Sequence, residues 1–279
     1  MVDEKTIRSG VLGWPVSHSL SPRLHGYWLN EYGVNGSYEP LAAPPENFAR
    51  MMRMLSDDGF AGANVTVPYK EEALKYIDEI DGQARRTGAV NTIIVQADGR
   101  LLGRNTDGFG FLENLKSNAP SWSPAQGPAV VIGAGGAARA VCAALIDSGV
   151  PELRLINRTR LRAETTAEHI GGPIRIYSWE ERATALDGAA LLVNATTMGM
   201  TGKPPLELDL SRLPVKAVVN DIVYSPLATP LLESANRRGN LAVDGLGMLL
   251  HQARPGFAAW FGVEPQVTAG LRAHVLQGL

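Results

Sequence analysis

Two residues of opposite charge, Lys70 and Asp107, each stand where a predicted strand has just ended, and together they could move a proton. Lys70 ends the segment GANVTVPYK, in which an apolar strand pattern runs into a proline. When a hydride leaves an alcohol, the hydroxyl proton must also leave, and a lysine beside the oxygen can relay it. A neighbouring carboxylate can orient that lysine. The pair therefore predicts an oxidoreductase centre, and the spacing equally allows Asp107 to be a plain helix cap.

Polar side chains that could hold a substrate stand at similar junctions. Ser19 and Ser21 precede a predicted helix, 22–32, and alternate residues of an extended segment project the same way. Both hydroxyls could therefore hold a carboxylate near the N–H groups of that helix, although Ser21 alone could be its N-cap. The other polar candidates near strand ends are Asn64, Thr66 and Asn91.

A glycine turn between a predicted strand and a predicted helix, VVIGAGGAARA, indicates a dinucleotide site. Gly133, Gly135 and Ala138 match the spacing G-x-G-x-x-G/A. The first glycine permits the tight turn, and the second lets the backbone approach a pyrophosphate placed on the helix N-terminus. The alternative is an ordinary turn between a strand and a helix.

The next predicted strand ends in INRTRLR, which indicates which dinucleotide is bound. Enzymes that use NAD usually have an acidic residue here to bind the ribose hydroxyls, and this loop has none. Arg158 and Arg162 could instead pair with the 2′-phosphate of NADP, and Thr159 adds a hydroxyl. The alternative is that these arginines are a solvated helix start, as we expect for Arg160.

Two later strands, which end in NATTMGM and NDIVYSP, should line the nicotinamide half of the same site. Ligands of such folds bind beyond the carboxyl ends of the strands. Core packing is an alternative for Met198. The residues placed there are Thr196, Met198, Ile222 and Tyr224.

Strand-like and helix-like stretches alternate along the whole chain, which predicts an α/β fold in two domains. The second domain, residues 107–244, has the repeated βαβ rhythm of a doubly wound, Rossmann-type nucleotide-binding domain. The first has its own sheet, with a hairpin turn at Asp98-Gly99 and a helix predicted over 69–77. The C-terminal helices lack a sheet and should pack on one of the two domains.

Composition excludes several classes of protein. The 279 residues are 45% hydrophobic and 19% charged, with a net charge of −2, which is typical of a globular protein and not of a nucleic-acid binder. Cys142 is the single cysteine, so no intrachain disulfide can form, and a cytoplasmic location is expected. We expect no membrane span, signal peptide or metal site, and the sequence leaves monomer and homodimer both open.

Eight motifs resemble those of the shikimate dehydrogenases, in the same order along the chain. They run from about residue 10 to residue 252 and read GWPVSHSLSPRLH, GANVTVPYK, GAVNTI, GRNTDGFGF, VIGAGGAARA, NRTRLR, NATTMGM and DGLGMLLHQA. The resemblance implies NADP-linked interconversion of shikimate and 3-dehydroshikimate in aromatic amino-acid biosynthesis. It also implies two α/β domains with a cleft between them, residues 1–106 with 245–279 for the substrate and 107–244 for NADP.

The resemblance also implies a role for each candidate residue. Lys70 and Asp107 would be the catalytic pair, and Ser19 and Ser21 would hold the substrate carboxylate. Tyr224 and Gly245 would lie where nicotinamide meets the substrate. Other substrate contacts would come from Asn64, Thr66, Asn91 and Gln252. The pyrophosphate would be bound by Gly133, Ala134, Gly135, Gly136 and Ala137, and the 2′-phosphate end by Asn157, Arg158, Thr159 and Arg162.

Three other functions are consistent with parts of the pattern. A quinate/shikimate dehydrogenase that uses NAD would be expected to carry an acidic residue after the second strand of the nucleotide domain. An aminoshikimate dehydrogenase could use the same scaffold. A nucleotide-sensing protein without catalysis would be expected to lack Lys70 or Asp107, and both are present.

Overall fold

The computed structural model describes residues 6–279, which form two compact units. The first unit is the described part of Met1–Thr106 together with Gln252–Leu279, and the second is Asp107–His251. Each contains one sheet of six strands.

The sheet of the first unit mixes parallel and antiparallel pairs. Its spatial order is β2-β1-β3-β5-β6-β4; β1 runs parallel to β2 and β3, whereas β5 runs antiparallel to β3 and β6. The hairpin predicted at Asp98-Gly99 is confirmed, since it joins β5 to β6. The strands are β1 (Ile7–Gly13), β2 (Gly36–Ala42), β3 (Gly62–Val65), β4 (Glu79–Ile80), β5 (Thr92–Val95) and β6 (Leu101–Arg104).

Helices cover this sheet and bury its apolar side chains. In α2 the residues Phe48, Met51, Met52 and Leu55 recur at helical spacing and are all buried, as expected of an amphipathic helix. They pack in one core with Leu12 and other residues of the sheet. The helices of the unit are α1 (Ser21–Glu31), α2 (Phe48–Asp57), α3 (Gly82–Thr87) and, at the C-terminus, α9 (Ala269–Leu276).

The sheet of the second unit is entirely parallel. Its order is β9-β8-β7-β10-β11-β12, so the chain moves outward in one direction from β7, returns to β10 and then moves outward on the other side. This is the doubly wound Rossmann order, with its switch point between β7 and β10. The strands are β7 (Ala129–Ile132), β8 (Leu153–Ile156), β9 (Ile174–Tyr177), β10 (Leu191–Asn194), β11 (Val218–Asp221) and β12 (Leu241–Val243).

Both faces of this second sheet are buried. On β7, Val131 belongs to one core cluster, while its neighbours Val130 and Ile132 belong to another. A parallel strand that is buried on both faces has an uninterrupted run of apolar residues, and the sequence VVI of β7 is such a run. The helices are α4 (Asp107–Asn118), α5 (Gly136–Asp147), α6 (Arg160–Ile170) and α7 (Pro230–Arg238).

Helix α8 (Leu246–Phe261) contributes residues to both units, and both its first half and the segment just before it contact α4. The Asn114 side chain donates to the carbonyl of Asp244 at 2.8 Å, and Ser117 Oγ lies 3.5 Å from His251 Nε2. The second unit therefore continues to His251, beyond the predicted boundary at residue 244.

Two local predictions were wrong. Residues 69–77 hold only a 3₁₀ turn, Glu72–Tyr76, because the carbonyl of Lys70 accepts from the N–H of Val90 at 2.7 Å. Ser21 is not an N-cap: α1 begins at Ser21, and Leu20, already in helical conformation, occupies the cap position.

Candidate active site

Two serine hydroxyls lie at the start of α1, beyond the carboxyl end of β1. Ser21 is buried and Ser19 is half-buried. The Ser21 N–H donates to Ser19 Oγ at 3.3 Å, which fixes the spacing of the two residues. Since Ser21 does not cap the helix, its hydroxyl is not occupied by the backbone N–H groups of α1.

Asn64 lies on β3, between β1 and β5, and is held on several sides. Its Oδ1 accepts from the hydroxyl of Tyr38 at 2.6 Å, and its Nδ2 donates to the carbonyl of Asn91 at 3.0 Å and to Thr92 Oγ1 at 3.2 Å. Thr66 follows the strand and is half-buried, and among residues 6–279 no protein atom bonds its hydroxyl. The end of β3 therefore presents one fixed amide and one available hydroxyl.

Asn91 and Gln252 meet inside the first unit, although they are 161 residues apart in sequence. Asn91 Nδ2 donates to Gln252 Oε1 at 3.2 Å and to Thr106 Oγ1 at 3.0 Å. The Thr106 hydroxyl in turn donates to the carbonyl of Gln252 at 2.8 Å. Three of the predicted substrate residues, Asn64, Asn91 and Gln252, thus belong to one buried hydrogen-bond network.

Sequence reasoning missed three members of this network: Tyr38, Thr92 and Thr106. Each bonds to a residue distant in sequence, so local spacing gave no indication of the pairing. The available signal was a polar side chain within or beside an otherwise apolar strand pattern.

The two candidate catalytic residues belong to different units. Lys70 is half-buried and lies in the turn after β3, where Tyr69 N donates to the carbonyl of Thr66 at 2.9 Å. Asp107 is the first residue of α4 and is buried, 4% exposed. A carboxylate in the first turn of a helix interacts favourably with the helix dipole.

The glycine turn of the second unit fits a pyrophosphate. Gly133 has φ +118°, and a Cβ built there would lie 2.8 Å from the carbonyl oxygen of Ala195, so only glycine is accommodated. Gly135 is exposed at the N-cap of α5, and a Cβ built on it would meet nothing within 4 Å. The N–H groups of Gly136 and Ala137 open the helix and have no partner within it, so an anion can bind there.

Exposed basic side chains follow β8, as predicted. Arg158 and Arg162 are exposed, and within the described residues neither guanidinium has a hydrogen bond or an ion pair. By contrast, Arg160 Nε donates to Glu164 Oε1 at 2.8 Å. Asn157 Nδ2 donates to the carbonyl of Thr159 at 2.9 Å and so shapes this loop. Two guanidiniums without protein partners are suited to bind the 2′-phosphate of NADP, and the loop contains no carboxylate to repel that phosphate.

The loops after β10 and β11 are tied together by Asp221, a buried acid that sequence reasoning missed. Its carboxylate accepts from Thr229 Oγ1 at 2.7 Å, from Val223 N at 3.0 Å and from Asn194 Nδ2 at 3.0 Å. Burial raises the pKa of Asp221, and these hydrogen bonds oppose the rise. The available sequence signal was an acidic residue at the end of β11, a strand that otherwise contains two valines and an asparagine.

The same loops carry the residues predicted to line the nicotinamide half. Thr196 Oγ1 donates to Asn194 Oδ1 at 2.7 Å and accepts from Met198 N at 3.0 Å, so it shapes the loop. Met198 and Ile222 are half-buried and pack against the two core clusters. Gly245 N donates to the carbonyl of Val223 at 3.3 Å, and burial raises the pKa of the Tyr224 phenol, which remains protonated at neutral pH.

Within residues 6–279 no cluster of histidine, cysteine and acidic side chains could hold a metal ion. Over the same residues, no helix has the length and apolar character needed to cross a bilayer.

Comparison with known proteins identifies the family. The family model described as shikimate dehydrogenase substrate binding domain matches residues 11–93, and that described as shikimate / quinate 5-dehydrogenase matches residues 115–201. A relative from Paramagnetospirillum magneticum, named shikimate dehydrogenase (NADP(+)), is 62% identical over 268 residues, which are 96% of this chain and 97% of that one. The chain belongs to the shikimate dehydrogenase family.

Solved structures of shikimate and quinate dehydrogenases have the same fold. Shikimate 5-dehydrogenase from Thermus thermophilus, in complex with NADP(H) and shikimate, has a TM-score of 0.88 at 39% identity, covering 98% of this chain and 100% of that one. Quinate dehydrogenase from Corynebacterium glutamicum, in complex with NAD, has a TM-score of 0.90 at 30% identity, covering 98% and 99%. Fold alone therefore does not separate shikimate from quinate or NADP from NAD, and side chains must decide.

Proposed function

We propose that this protein is an NADP-dependent shikimate dehydrogenase, which reversibly reduces 3-dehydroshikimate to shikimate in aromatic amino-acid biosynthesis. The observation that carries the proposal is the 62% identity over 268 residues to a relative named for that activity. The unengaged Arg158 and Arg162 and the absence of an acid in their loop support NADP over NAD.

The two units divide the work in this proposal. The first unit holds the substrate: Ser19 and Ser21 donate to its carboxylate, while Thr66 and the amide network bind its ring hydroxyls. The second unit holds the cofactor, with the pyrophosphate on the N-terminus of α5 and the 2′-phosphate between Arg158 and Arg162.

The chemical step needs one hydride and one proton. NADPH, when bound, supplies the hydride to the carbonyl carbon of 3-dehydroshikimate. The Lys70 ammonium polarises the carbonyl oxygen and gives it the proton, so that the ketone becomes an alcohol. Asp107, the first residue of α4, would be the acidic member of the catalytic pair. In the reverse direction, Lys70 takes the hydroxyl proton as the hydride leaves.

The cellular location and assembly belong to the same proposal. We place the enzyme in the cytoplasm, which is consistent with a single cysteine that cannot form an intrachain disulfide. Gel filtration with light scattering will decide between the monomer and the homodimer.

A substrate panel tests the proposed function. Shikimate, quinate and aminoshikimate are each offered with NADP and with NAD, and kcat/KM is measured for all six pairs. We expect shikimate with NADP to have the highest value. A higher value for quinate with NAD would identify a quinate dehydrogenase instead, and no turnover with any pair would indicate a nucleotide-binding protein.

A further inference from the structure

We propose that Tyr38 is a positioning residue of the substrate site, whose hydroxyl fixes the orientation of the Asn64 amide. The inference rests on the proposed placement of the substrate on Asn64. Tyr38 lies on β2, pairs in register with Ser9 of β1 and is buried, 8% exposed. Its hydroxyl therefore acts inside the unit.

The Tyr38 hydroxyl bonds to a candidate substrate residue on another strand of the sheet. It lies on β2 and donates to Asn64 Oδ1 on β3 at 2.6 Å. Because the phenol is buried, its pKa is raised well above the usual value, and it keeps its proton at any pH at which the enzyme would work. The proton is therefore always available to Asn64.

Hydrogen-bond directions allow only one orientation of the Asn64 amide. Its Nδ2 faces the carbonyl of Asn91, an acceptor only, so the nitrogen and not the oxygen must lie there. The remaining Nδ2 hydrogen goes to Thr92 Oγ1, and Oδ1 is left facing the phenol of Tyr38. If Tyr38 could not donate, Oδ1 would lose this buried partner, and burial without a partner is costly.

The ring of Tyr38 is itself held in place. The His25 ring stacks on it with centroids 3.9 Å apart and an angle of 4° between the planes, and Trp260 packs nearby with centroids 6.1 Å apart. Burial lowers the pKa of His25 to about 3, partly offset by Asn64, so His25 is neutral and tolerated against this aromatic cluster. The hydroxyl therefore has little freedom to follow a displaced amide.

Substitution of Tyr38 by phenylalanine tests the inference, because it removes only the hydroxyl and keeps the stacked ring. In the full-length enzyme we expect the KM for shikimate to rise about tenfold, the free-energy equivalent of one buried hydrogen bond, while kcat and the KM for NADP change less than about twofold. Thr87→Val is the matched control. It removes another buried hydroxyl of this unit, bonded to the carbonyl of Gln83 at 2.8 Å, and should leave the KM for shikimate unchanged.

A double-mutant cycle with Asn64→Ala separates positioning from general destabilisation. If Tyr38 acts through Asn64, adding Tyr38→Phe to Asn64→Ala will raise KM much less than adding it to the wild type. Fully additive effects, or an unchanged KM in Tyr38→Phe, would overturn the inference. If Asn64→Ala and Ser21→Ala both leave the KM for shikimate unchanged, the proposed substrate placement fails first, and the inference fails with it.

Should Tyr38→Phe not fold, Thr92→Val tests the same amide from its other side. That change removes the oxygen to which Asn64 Nδ2 donates at 3.2 Å and keeps the side-chain shape. We expect a raised KM for shikimate with an unchanged KM for NADP. Equal changes in both constants would count against a role confined to the substrate.

Discussion

The proposed substrate and cofactor sites are built in opposite ways. In the first unit, the amide side chains are buried and bonded into one network: Asn64 and Asn91 are 5% and 2% exposed, respectively. In the second unit, Gly135, Arg158 and Arg162 are exposed, and neither guanidinium has a partner within the described residues. The difference indicates that the ring substrate would meet a preorganised set of dipoles, whereas the dinucleotide would organise flexible side chains around its own charges.

Removal of the Lys70 ammonium should produce the largest effect. In Lys70→Ala we expect kcat to fall by about 100- to 10,000-fold with a smaller change in KM, because proton transfer acts in the transition state. Steady-state kinetics with shikimate and NADP measure both constants. Lys75→Ala, which removes an exposed lysine from the neighbouring 3₁₀ turn, is the control and should keep wild-type values. A rise in KM with unchanged kcat would reject the proton-transfer role.

Lower pH should destabilise the buried site of the first unit through His25. Its pKa is about 3 in the fold and 6.5 when exposed, so between these values the unfolded chain binds a proton that the folded chain does not. The free energy of unfolding should therefore fall as pH drops from about 6.5 towards 3, by up to about 4 kcal/mol from this residue. Urea titrations followed by tryptophan fluorescence measure it.

The control for this pH effect is His25→Phe, which keeps an aromatic ring at this position but has no titratable group. In His25→Phe the slope of unfolding free energy against pH should be smaller over the same range. An identical slope in the variant would show that other groups cause the pH dependence.

Loss of one exposed guanidinium should change cofactor preference and little else. In Arg158→Ala we expect the KM for NADP to rise about tenfold, the equivalent of one charge-assisted hydrogen bond, while the KM for NAD stays the same. Arg160→Ala is the matched control, because Arg160 is also exposed but is paired with Glu164. An unchanged ratio of NADP to NAD would remove Arg158 from the phosphate site.

The smallest effect is expected from a methyl group at the open position of the glycine turn. A Cβ added at Gly135 has no protein atom within 4 Å, so the melting temperature of Gly135→Ala should stay near that of the wild type. The methyl would occupy the space proposed for the pyrophosphate and raise the KM for NADP about fivefold, the equivalent of one weakened hydrogen bond. Gly82→Ala, equally uncrowded at the start of α3, should change neither quantity. A normal KM in Gly135→Ala would move the pyrophosphate elsewhere.

Sequence patterns predicted those parts of the molecule that depend on neighbouring residues. The glycine turn and the hairpin at Asp98-Gly99 have local signatures, and both form as predicted. The segment after β3 was predicted as a helix, yet the Lys70 carbonyl bonds to Val90 and only a short 3₁₀ turn forms. Tertiary hydrogen bonds of this kind override local propensity.

The residues of the candidate site also separate into those with a local sequence signature and those identified only by tertiary contacts. The arginines after β8 and the serines before α1 stand in short motifs that could be recognised directly. Tyr38 bonds to a residue 26 positions away, and Asp221 bonds to Asn194, 27 positions away. No periodicity links such pairs, so only the assembled sheets reveal them.

Chemical labelling of Cys142 would report unfolding of the part of the protein around it. The residue lies in the middle of α5, the helix that follows the glycine turn, and is fully buried, which raises the pKa of its thiol to about 12. An alkylating reagent reacts with thiolate, so the native chain should resist labelling at neutral pH. Because the sequence has no other cysteine, each labelled molecule would record an opening of the nucleotide-binding half, and the labelling rate would follow how strongly a dinucleotide suppresses that opening.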